Sequence, residues 1–271
     1  MRREPKADNQ EIYWNPDKGE LDASSIEGFD VIIHLGGAGI GDKRWSKSRM
    51  QLIRDSRIKS TQLLSEKIAS NHVKPELFMV SSAIGFYGNR GDELLTEDSE
   101  RGAGYLPEVC SAWESSAKAA KDAGVRTIHL RTGIVLDATG GALAKMLPPA
   151  KFGAGGPIGW GRQWMSWISM DDQIYSIHHL MMTDGTEGAY NLVSPEPVQQ
   201  KMFAKSLGRV LRRPAFIPTP PLAIWILFGK MGVALTTESQ RVHPNRLVDS
   251  GYCFQHTTLE PALRDTLGLW K

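Results

Sequence analysis

Short apolar runs alternate with longer segments of helical periodicity over the first two thirds of the chain. The runs are typical of strands, because they are short, rich in β-branched residues and bounded by turn residues. Their alternation with helical segments predicts a parallel sheet with right-handed crossovers. Residues 31–35 (VIIHL) are almost wholly apolar, so we expect that strand to be buried on both faces. The predicted strands are 11–14, 31–35, 77–81 and 126–130, and the predicted helices are 46–70 and 108–123, the latter entered through Pro107.

The pattern changes after Leu136. Residues 140–161 are rich in glycine and proline, which predicts a long loop of the kind that forms sites beyond sheet strands. Asp171 or Asp172 is expected to cap the helix that follows. Helices dominate from Gln199 onward, and we place a domain boundary near residue 195, dividing the chain into 1–195 and 196–271. The elements predicted in this part are a strand at 189–193 and helices at 202–211, 221–229, 239–250 and 259–267.

Composition limits the classes of protein to which the chain can belong. Its 271 residues carry 32 Lys+Arg and 30 Asp+Glu, a net charge of +2 that excludes a polyanion binder acting through bulk charge. Its most apolar stretch, 221–229, falls short of the ~20 residues of a membrane-spanning helix. We therefore expect no nucleic acid and no membrane as partner. Two cysteines, Cys110 and Cys253, exclude a disulfide framework and favour a cytoplasmic setting.

A glycine-rich segment, VIIHLGGAGIG, covers residues 31–41. Glycines after a strand let backbone N–H groups approach a phosphate or ribose closely. The spacing of Gly37, Gly39 and Gly41 is G-x-G-x-G, whereas the dinucleotide fingerprint is G-x-G-x-x-G. Two interpretations remain open, a cofactor loop and a tight turn after a core strand.

The segment SSAIGFYG, residues 81–88, follows the second predicted strand. Hydroxyl groups at the carboxyl end of a parallel strand face the crevice where such sheets bind ligands. Ser82 is therefore a candidate to bind a substrate oxygen, and Tyr87 is a candidate proton donor if a cation lowers its pKa. The alternative is a strand-to-loop turn with a packed tyrosine.

Two other features offer weaker chemistry. The neighbouring pair His178 and His179 would point about 100° apart on a helix, so it makes a poor metal chelate. Trp160, Trp164 and Trp167 are expected to form a stacking wall for a ligand, a hydrophobic lid or a contact between subdomains.

Taken in order, these segments resemble one known family. HLGGAGIGDKRW matches the pattern N-L-A-G-x-x-I-x-x-x-R-W, and RDSRIKSTQLL matches S-R-x-x-x-T-x-x-L. SSAIGFYG, LRTGIVL, GGALAKMLPP, GGPIGWGRQWMSWISMDD, YNLVSPEPV and QRVHPNRLVDSGYCFQHTTLEPAL follow in family order. The chain is similar to the atypical, extended branch of the short-chain dehydrogenase/reductase superfamily. Within it, the chain resembles the epimerase family proteins of the SDR39U type, often described as nucleoside-diphosphate-sugar epimerases.

The resemblance implies a Rossmann-like α/β fold with a smaller, mostly helical C-terminal lobe over the site. It also implies NADP(H) or NAD as cofactor, and a small or nucleotide-sugar-like substrate for an oxidoreductase or epimerase. Leu35, Gly36 and Gly37 would line the cofactor, and Arg57 would reach towards it from the next helix. Ser82 would take the serine position of the superfamily.

The N-terminus departs from the family pattern. The family opens with a strand, a G-x-x-G-x-x-G turn, a helix and a second strand that ends in an arginine-bearing turn. Residues 1–4 (MRRE) resemble that last turn, and Arg2 or Arg3 would then read a 2′-phosphate, which favours NADP over NAD. Without the first strands, the strand at 31–35 should form an exposed apolar sheet edge. We therefore expect the working protein to extend further upstream, and we expect the glycine turn to be missing from the cofactor site of this chain.

The catalytic pair Tyr-x-x-x-Lys departs as well. When the chain is aligned on Glu114, Leu106 takes the tyrosine position and Cys110 the lysine position. Tyr87 and Tyr105 remain as candidate acids. Three hypotheses follow: an NADP-linked oxidoreductase or epimerase, a non-catalytic NADP(H)-binding sensor or scaffold, and a fragment that binds no cofactor. Assembly into a homo-oligomer is left open.

Overall fold

The structure is a computed structural model that describes residues 11–270. Its strands are β1 Trp14–Asn15, β2 Glu20–Leu21, β3 Val31–His34, β4 Leu77–Ala83, β5 Leu94–Leu95, β6 Arg126–Thr132, β7 Ile134–Leu136, β8 Trp164–Met165, β9 Trp167–Ser169, β10 Gly188–Leu192, β11 Val198–Gln199 and β12 Arg241–Val242. Its helices are α1 Lys47–Ser70, α2 Tyr105–Ser115, α3 Lys118–Asp122, α4 Gly141–Lys151, α5 Met170–Met182, α6 Gln200–Leu211, α7 Pro221–Thr237, α8 Asn245–Asp249 and α9 Leu259–Leu267.

Four parallel strands form the central sheet, in the order β10-β6-β4-β3. The register brings His34 of β3 and His129 of β6 to either side of Val80 in β4. Helices α1, α2 and α3 cover one face, where Leu64, Phe78 and Trp113 share a core cluster. Helix α5 covers the other face. The chain therefore has the predicted Rossmann-like α/β architecture, with helices on both faces of a parallel sheet.

Strand β3 lies at the edge of the described sheet. It pairs with β4 on one side, and within residues 11–270 no strand pairs with its other side. Ile33 is 42% exposed as a result, so the prediction that this run is buried on both faces was wrong, and the prediction of an apolar edge is confirmed. Of the strand predicted at 11–14, only Trp14 lies in β1, which within residues 11–270 pairs with β2 in a separate hairpin.

Helix starts follow local capping chemistry. The Ser46 hydroxyl accepts a hydrogen bond from the N–H of Arg49 at 3.1 Å, so α1 begins at Lys47. The single helix predicted at 108–123 is divided between α2 and α3. The predicted aspartate cap of α5 is in fact Ser169, whose Oγ accepts from the N–H of Asp172 at 3.0 Å. Asp172 instead accepts hydrogen bonds from the C-terminal segment, including Gln255 N–H at 2.7 Å.

The C-terminal part differs most from the prediction. The expected loop at 140–161 contains α4, because Ala and Leu favour a helix and both prolines fall in its last turn. The helix predicted at 239–250 is instead β12 followed by the short α8. Leu143 of α4, Phe203 of α6 and Leu263 of α9 share one core cluster. Residues from both sides of position 195 thus pack together, and the boundary at that position stays a prediction.

Helix α7 is interrupted at Gly229, whose φ of 65° and ψ of −154° are not helical. Among the helices in residues 11–270, none has both the length and the apolar character that crossing a membrane requires.

Candidate functional site

The segment after β3 and the facing part of α1 form what we name the cofactor loop, residues 35–41 with Arg57. Leu35 is 59% exposed and begins this loop. A Cβ atom at Gly37 would come within 3.1 Å of the Arg57 Cζ atom, so glycine leaves the room that the guanidinium occupies. A Cβ atom at Gly36 would come within 2.9 Å of the His34 ring. The fold thus brings Gly36, Gly37 and Arg57 together, as the resemblance implies.

Arg57 has an unusual set of partners for a largely buried cation. Its Nη1 donates to the carbonyl oxygens of Ala38 at 2.9 Å and Ile53 at 3.0 Å. Its Cζ lies 4.9 Å from the centroid of the Trp113 ring. Burial lowers the pKa of the Arg57 guanidinium, which still stays protonated at neutral pH. Neutral carbonyls do not cancel its charge, so the guanidinium can still attract an anion such as a phosphate.

Ser82 is buried at the carboxyl end of β4, where it forms a hydrogen bond to the acidic member of a buried ion pair. Its Oγ donates to Glu114 Oε1 at 2.7 Å. Arg131, at the end of β6, donates to both oxygens of the same carboxylate at 2.8 and 2.9 Å. Burial would raise the pKa of Glu114, but the hydrogen bonds and charge of Arg131 bring that pKa below its ordinary value. Because its O–H donates a hydrogen bond to Glu114, the Ser82 hydroxyl can only accept a hydrogen bond from a ligand.

Tyr87 has no exposed surface and both of its hydrogen-bonding functions are used. Its hydroxyl donates to Asn191 Oδ1 at 2.7 Å and accepts from Arg131 Nη1 at 3.0 Å. Burial raises the pKa of this phenol despite the charge of Arg131. The predicted cation is therefore present, but in this arrangement the hydroxyl joins sheet elements and has no proton to give to a ligand.

The two residues at the positions of the missing catalytic pair face the turn after β4. A Cβ atom at Gly85 would lie 3.6 Å from Leu106 Cβ and 3.7 Å from Cys110 Sγ. Burial raises the pKa of the Cys110 thiol to about 12, so it stays protonated at neutral pH. Tyr105 points away from this turn towards α1, where its hydroxyl donates to the Met50 carbonyl at 2.6 Å. That phenol is half-buried and lies within electrostatic range of Arg57.

Comparison with known proteins identifies the family. An epimerase family protein of Mycobacterium bovis is 35% identical over 263 residues, which cover 97% of this chain and 86% of that protein. The chain belongs to the epimerase family. Residues 219–266 of this epimerase family chain also match a family model described as a domain of unknown function (DUF1731).

Two solved structures extend the likeness. The human epimerase family protein SDR39U1 (isoform 2), determined with NADPH, superposes with a TM-score of 0.86 at 29% identity and covers 91% of this chain and 84% of that one. A nucleoside-diphosphate sugar epimerase from Corynebacterium glutamicum superposes with a TM-score of 0.77 at 33% identity, over 98% of this chain and 51% of that one.

The sequence analysis missed three polar residues that contact Ser82 and Tyr87 in this epimerase family protein. Glu114 entered only as an alignment anchor, and Arg131 and Asn191 were not considered. Arg131 did carry a signal, because it directly follows the apolar Leu130 at the end of a predicted central strand, where a buried charge requires a partner. The partner itself lies 17 residues away on another element, and spacing alone does not reveal it.

The other predicted features that fall in the described residues do not join the site. Arg2 lies outside the described residues. His179 Nε2 contacts Ser250, and residues 11–270 contain no cluster of metal-binding side chains. The three tryptophans form neither a stacking wall nor a lid. Trp167 is fully buried, the indole of Trp164 donates to Asp92 at 2.7 Å, and Trp160 is 85% exposed.

Proposed function

We propose that this chain binds NADP(H) at the cofactor loop and acts as an oxidoreductase or epimerase on a small or nucleotide-sugar-like substrate. The observation that carries the proposal is Arg57, a largely buried guanidinium at a glycine turn with neutral carbonyls as partners. Within residues 11–270 it forms no ion pair, so its charge is available to a cofactor phosphate. The human relative determined with NADPH supports the same cofactor class.

The residues of the cofactor loop suit one side of a bound nicotinamide dinucleotide. Gly36 and Gly37 let the His34 ring and the Arg57 guanidinium pack directly against the loop backbone, and exposed Leu35 offers an apolar contact. Arg57 would hold a phosphate, and Arg2 is assigned to the 2′-phosphate by resemblance. When bound, the nicotinamide supplies hydride transfer.

The reacting end is assigned to Ser82 and to Tyr105, whose hydroxyl must first leave its hydrogen bond to the Met50 carbonyl before it can give a proton to a substrate. Because the Ser82 proton is directed to Glu114, Ser82 Oγ is suited to accept a hydrogen bond from a substrate alcohol. Tyr105 is the better-exposed phenol, and the nearby Arg57 charge works against the rise in pKa that burial causes. Tyr87, the acid first expected, instead supports the site by fixing Arg131 and Asn191.

A second candidate function is a non-catalytic NADP(H)-binding sensor or scaffold. It is favoured by Leu106 and Cys110, which face the turn after β4 at the positions where tyrosine and lysine would act. A buried thiol with its pKa raised to about 12 cannot replace the lysine cation. This candidate shares the cofactor site with the first and differs only in the absence of turnover.

Titration with NADPH, followed by cofactor fluorescence and by thermal shift, tests both candidates. We expect saturable binding that Arg57→Gln weakens and that the exposed control Arg54→Gln leaves unchanged. Oxidation of bound NADPH on addition of nucleotide sugars or small carbonyl compounds supports the enzyme, and binding without oxidation supports the sensor. Absence of binding by the intact chain would refute both candidates.

A further inference from the structure

A groove on the outer face of α6 carries a concentration of positive charge. It has a volume of about 490 Å³ and we name it the basic groove. Lys201, Lys205 and Arg209 are four residues apart and so lie along one face of the helix. No carboxylate lines the groove, whose residues are Lys201, Met202, Lys205, Arg209, Arg213, Ala215 and Phe216.

Most of this charge is not neutralised by the protein. Arg209 pairs with Glu260, which also accepts from Arg264 at 2.8 Å. Within the described part of the chain, Lys201, Lys205 and Arg213 form no ion pair. Like charges at this spacing destabilise a helix, so the cluster has no evident role in folding. An anionic partner would remove the repulsion.

Exposed aromatic residues border the groove. Phe216 in its lining is 74% exposed, and Trp160 and Phe152 are 85% and 89% exposed. The N–H of Lys201 donates to the carbonyl of Gly161 at 2.9 Å, which brings Trp160 next to the start of α6. A Cβ atom at Gly153 would lie 3.1 Å from Pro214, which brings Phe152 next to the segment after α6.

We propose that the basic groove and its aromatic border form a docking surface for an anionic phospholipid bilayer. Lysine and arginine side chains are attracted to acidic headgroups, and tryptophan and phenylalanine rings favour the boundary between headgroups and acyl chains. Single-stranded nucleic acid would match the charge and could stack on the rings. Exposed Met202 and Ile217 offer no stacking surface but can insert among lipids, which favours the bilayer.

This proposal goes beyond the cofactor site and departs from the expectation that no membrane is a partner. That expectation rested on the net charge of +2 and on the absence of a spanning segment. Net charge conceals local clustering, because only the fold gathers Lys201, Lys205 and Arg213 around one groove. Docking from the surface requires no spanning helix.

Sedimentation of the full chain with vesicles tests the proposal. We expect sedimentation with vesicles of phosphatidylcholine that contain phosphatidylglycerol, and none with phosphatidylcholine alone. The triple variant Lys201→Gln/Lys205→Gln/Arg213→Gln should lower partitioning on the order of 100-fold, since each cation near such a surface contributes about fivefold. The matched control is Lys18→Gln/Lys59→Gln/Lys121→Gln, which removes the same charge from other exposed lysines and should bind like the parent chain.

A second variant tests the aromatic border. Phe152→Ser/Trp160→Ser should weaken vesicle binding most at high salt, where the attraction between charges is screened. Thermal melting of every variant identifies loss of folding. The proposal is overturned if the anionic vesicles sediment no protein, if the control and groove variants bind equally, or if a single-stranded oligonucleotide binds the groove and vesicles do not.

Discussion

Arg57 and Arg131 are both largely buried arginines near the carboxyl edge of the sheet, and their surroundings are opposite. Arg131 donates to a buried carboxylate and to a phenol, and its guanidinium lies 3.5 Å from the Phe86 ring centroid. Arg57 donates to backbone carbonyls. The charge of Arg131 is neutralised within the fold, whereas the charge of Arg57 remains available to a ligand. The partners of a buried cation thus separate the structural residue Arg131 from Arg57, the proposed binding residue.

The largest effect is expected at Arg131. Arg131→Met should lower the free energy of unfolding by about 3–5 kcal/mol, because it leaves the Glu114 carboxylate buried without its cation. The double variant Arg131→Met/Glu114→Met should recover most of that loss. Urea unfolding measures both, and Arg54→Met on an exposed position should change stability by less than about 0.5 kcal/mol. A double variant as unstable as the single one would show that the pair acts through something other than charge.

The stability of the protein should depend on pH through His34, which lies on the side of the site near Arg57. Burial lowers the pKa of His34 from its ordinary 6.5 to about 4. Between pH 6.5 and 4 the unfolded chain therefore binds a proton at His34 that the folded chain excludes. The free energy of unfolding is highest above pH 6.5 and falls as the pH is lowered towards 4. The loss should be about 3 kcal/mol, because lowering the pKa from 6.5 to about 4 contributes about 1.36 kcal/mol for each pH unit.

The matched variant His34→Gln should reduce the pH dependence of stability over that window without abolishing it, because burial also lowers the pKa of His129. Glu114, whose folded pKa is lowered, contributes a separate loss that begins near its ordinary pKa of 4.5 and continues at more acidic pH. Urea unfolding at pH 7, 5 and 4 distinguishes the two. Equal pH dependence in the parent chain and the variant between pH 6.5 and 5 would contradict the role assigned to His34.

Cofactor affinity should change at Arg57 more than stability does. Arg57→Gln retains a donor for the loop carbonyls and removes the charge, so we expect the Kd for NADPH to rise about 10–100-fold, or about 1.4–2.8 kcal/mol. Isothermal calorimetry measures this, with Arg54→Gln as the control one turn earlier. An unchanged Kd with a lowered melting temperature would make Arg57 a structural residue like Arg131.

The two phenols provide the finest comparison. Tyr87→Phe should cost about 1–3 kcal/mol of stability, because it leaves buried polar partners on Asn191 and Arg131 unsatisfied. Tyr105→Phe should cost about 1 kcal/mol of stability. If turnover is detected, Tyr105→Phe should reduce turnover far more than Tyr87→Phe does. Loss of turnover in Tyr87→Phe with unchanged stability would return the catalytic assignment to Tyr87.

Sequence patterns predicted the sheet better than the parts that follow it. Strands β4 and β6 and helix α1 were predicted because short apolar runs and recurring apolar positions are local signals. Helix α4 was missed because two prolines and nearby glycines hid its Ala and Leu residues. Burial of 31–35 was misjudged because the neighbours of a strand in the sheet determine its exposure, and its composition does not.

The site divides in the same way. Arg57 and Gly37 were paired by family resemblance, and the fold brings them into contact. The hydrogen bond from Ser82 to Glu114 joins residues 32 positions apart on a strand and a helix, and no periodicity predicts such a pair. A hydroxyl or phenol that looks reactive in a motif can thus be engaged by a partner that only the tertiary fold supplies.

The two cysteines differ in burial, so a thiol reagent should react with only one of them in the native protein. Cys110 is buried behind the turn after β4 and its thiol stays protonated, whereas Cys253 is exposed. A maleimide dye should therefore attach at Cys253 in the native protein and at both sites only after denaturation. The chain can thus be labelled at a single site, Cys253, without any mutation. The rate at which Cys110 then reacts would measure how fast the core opens.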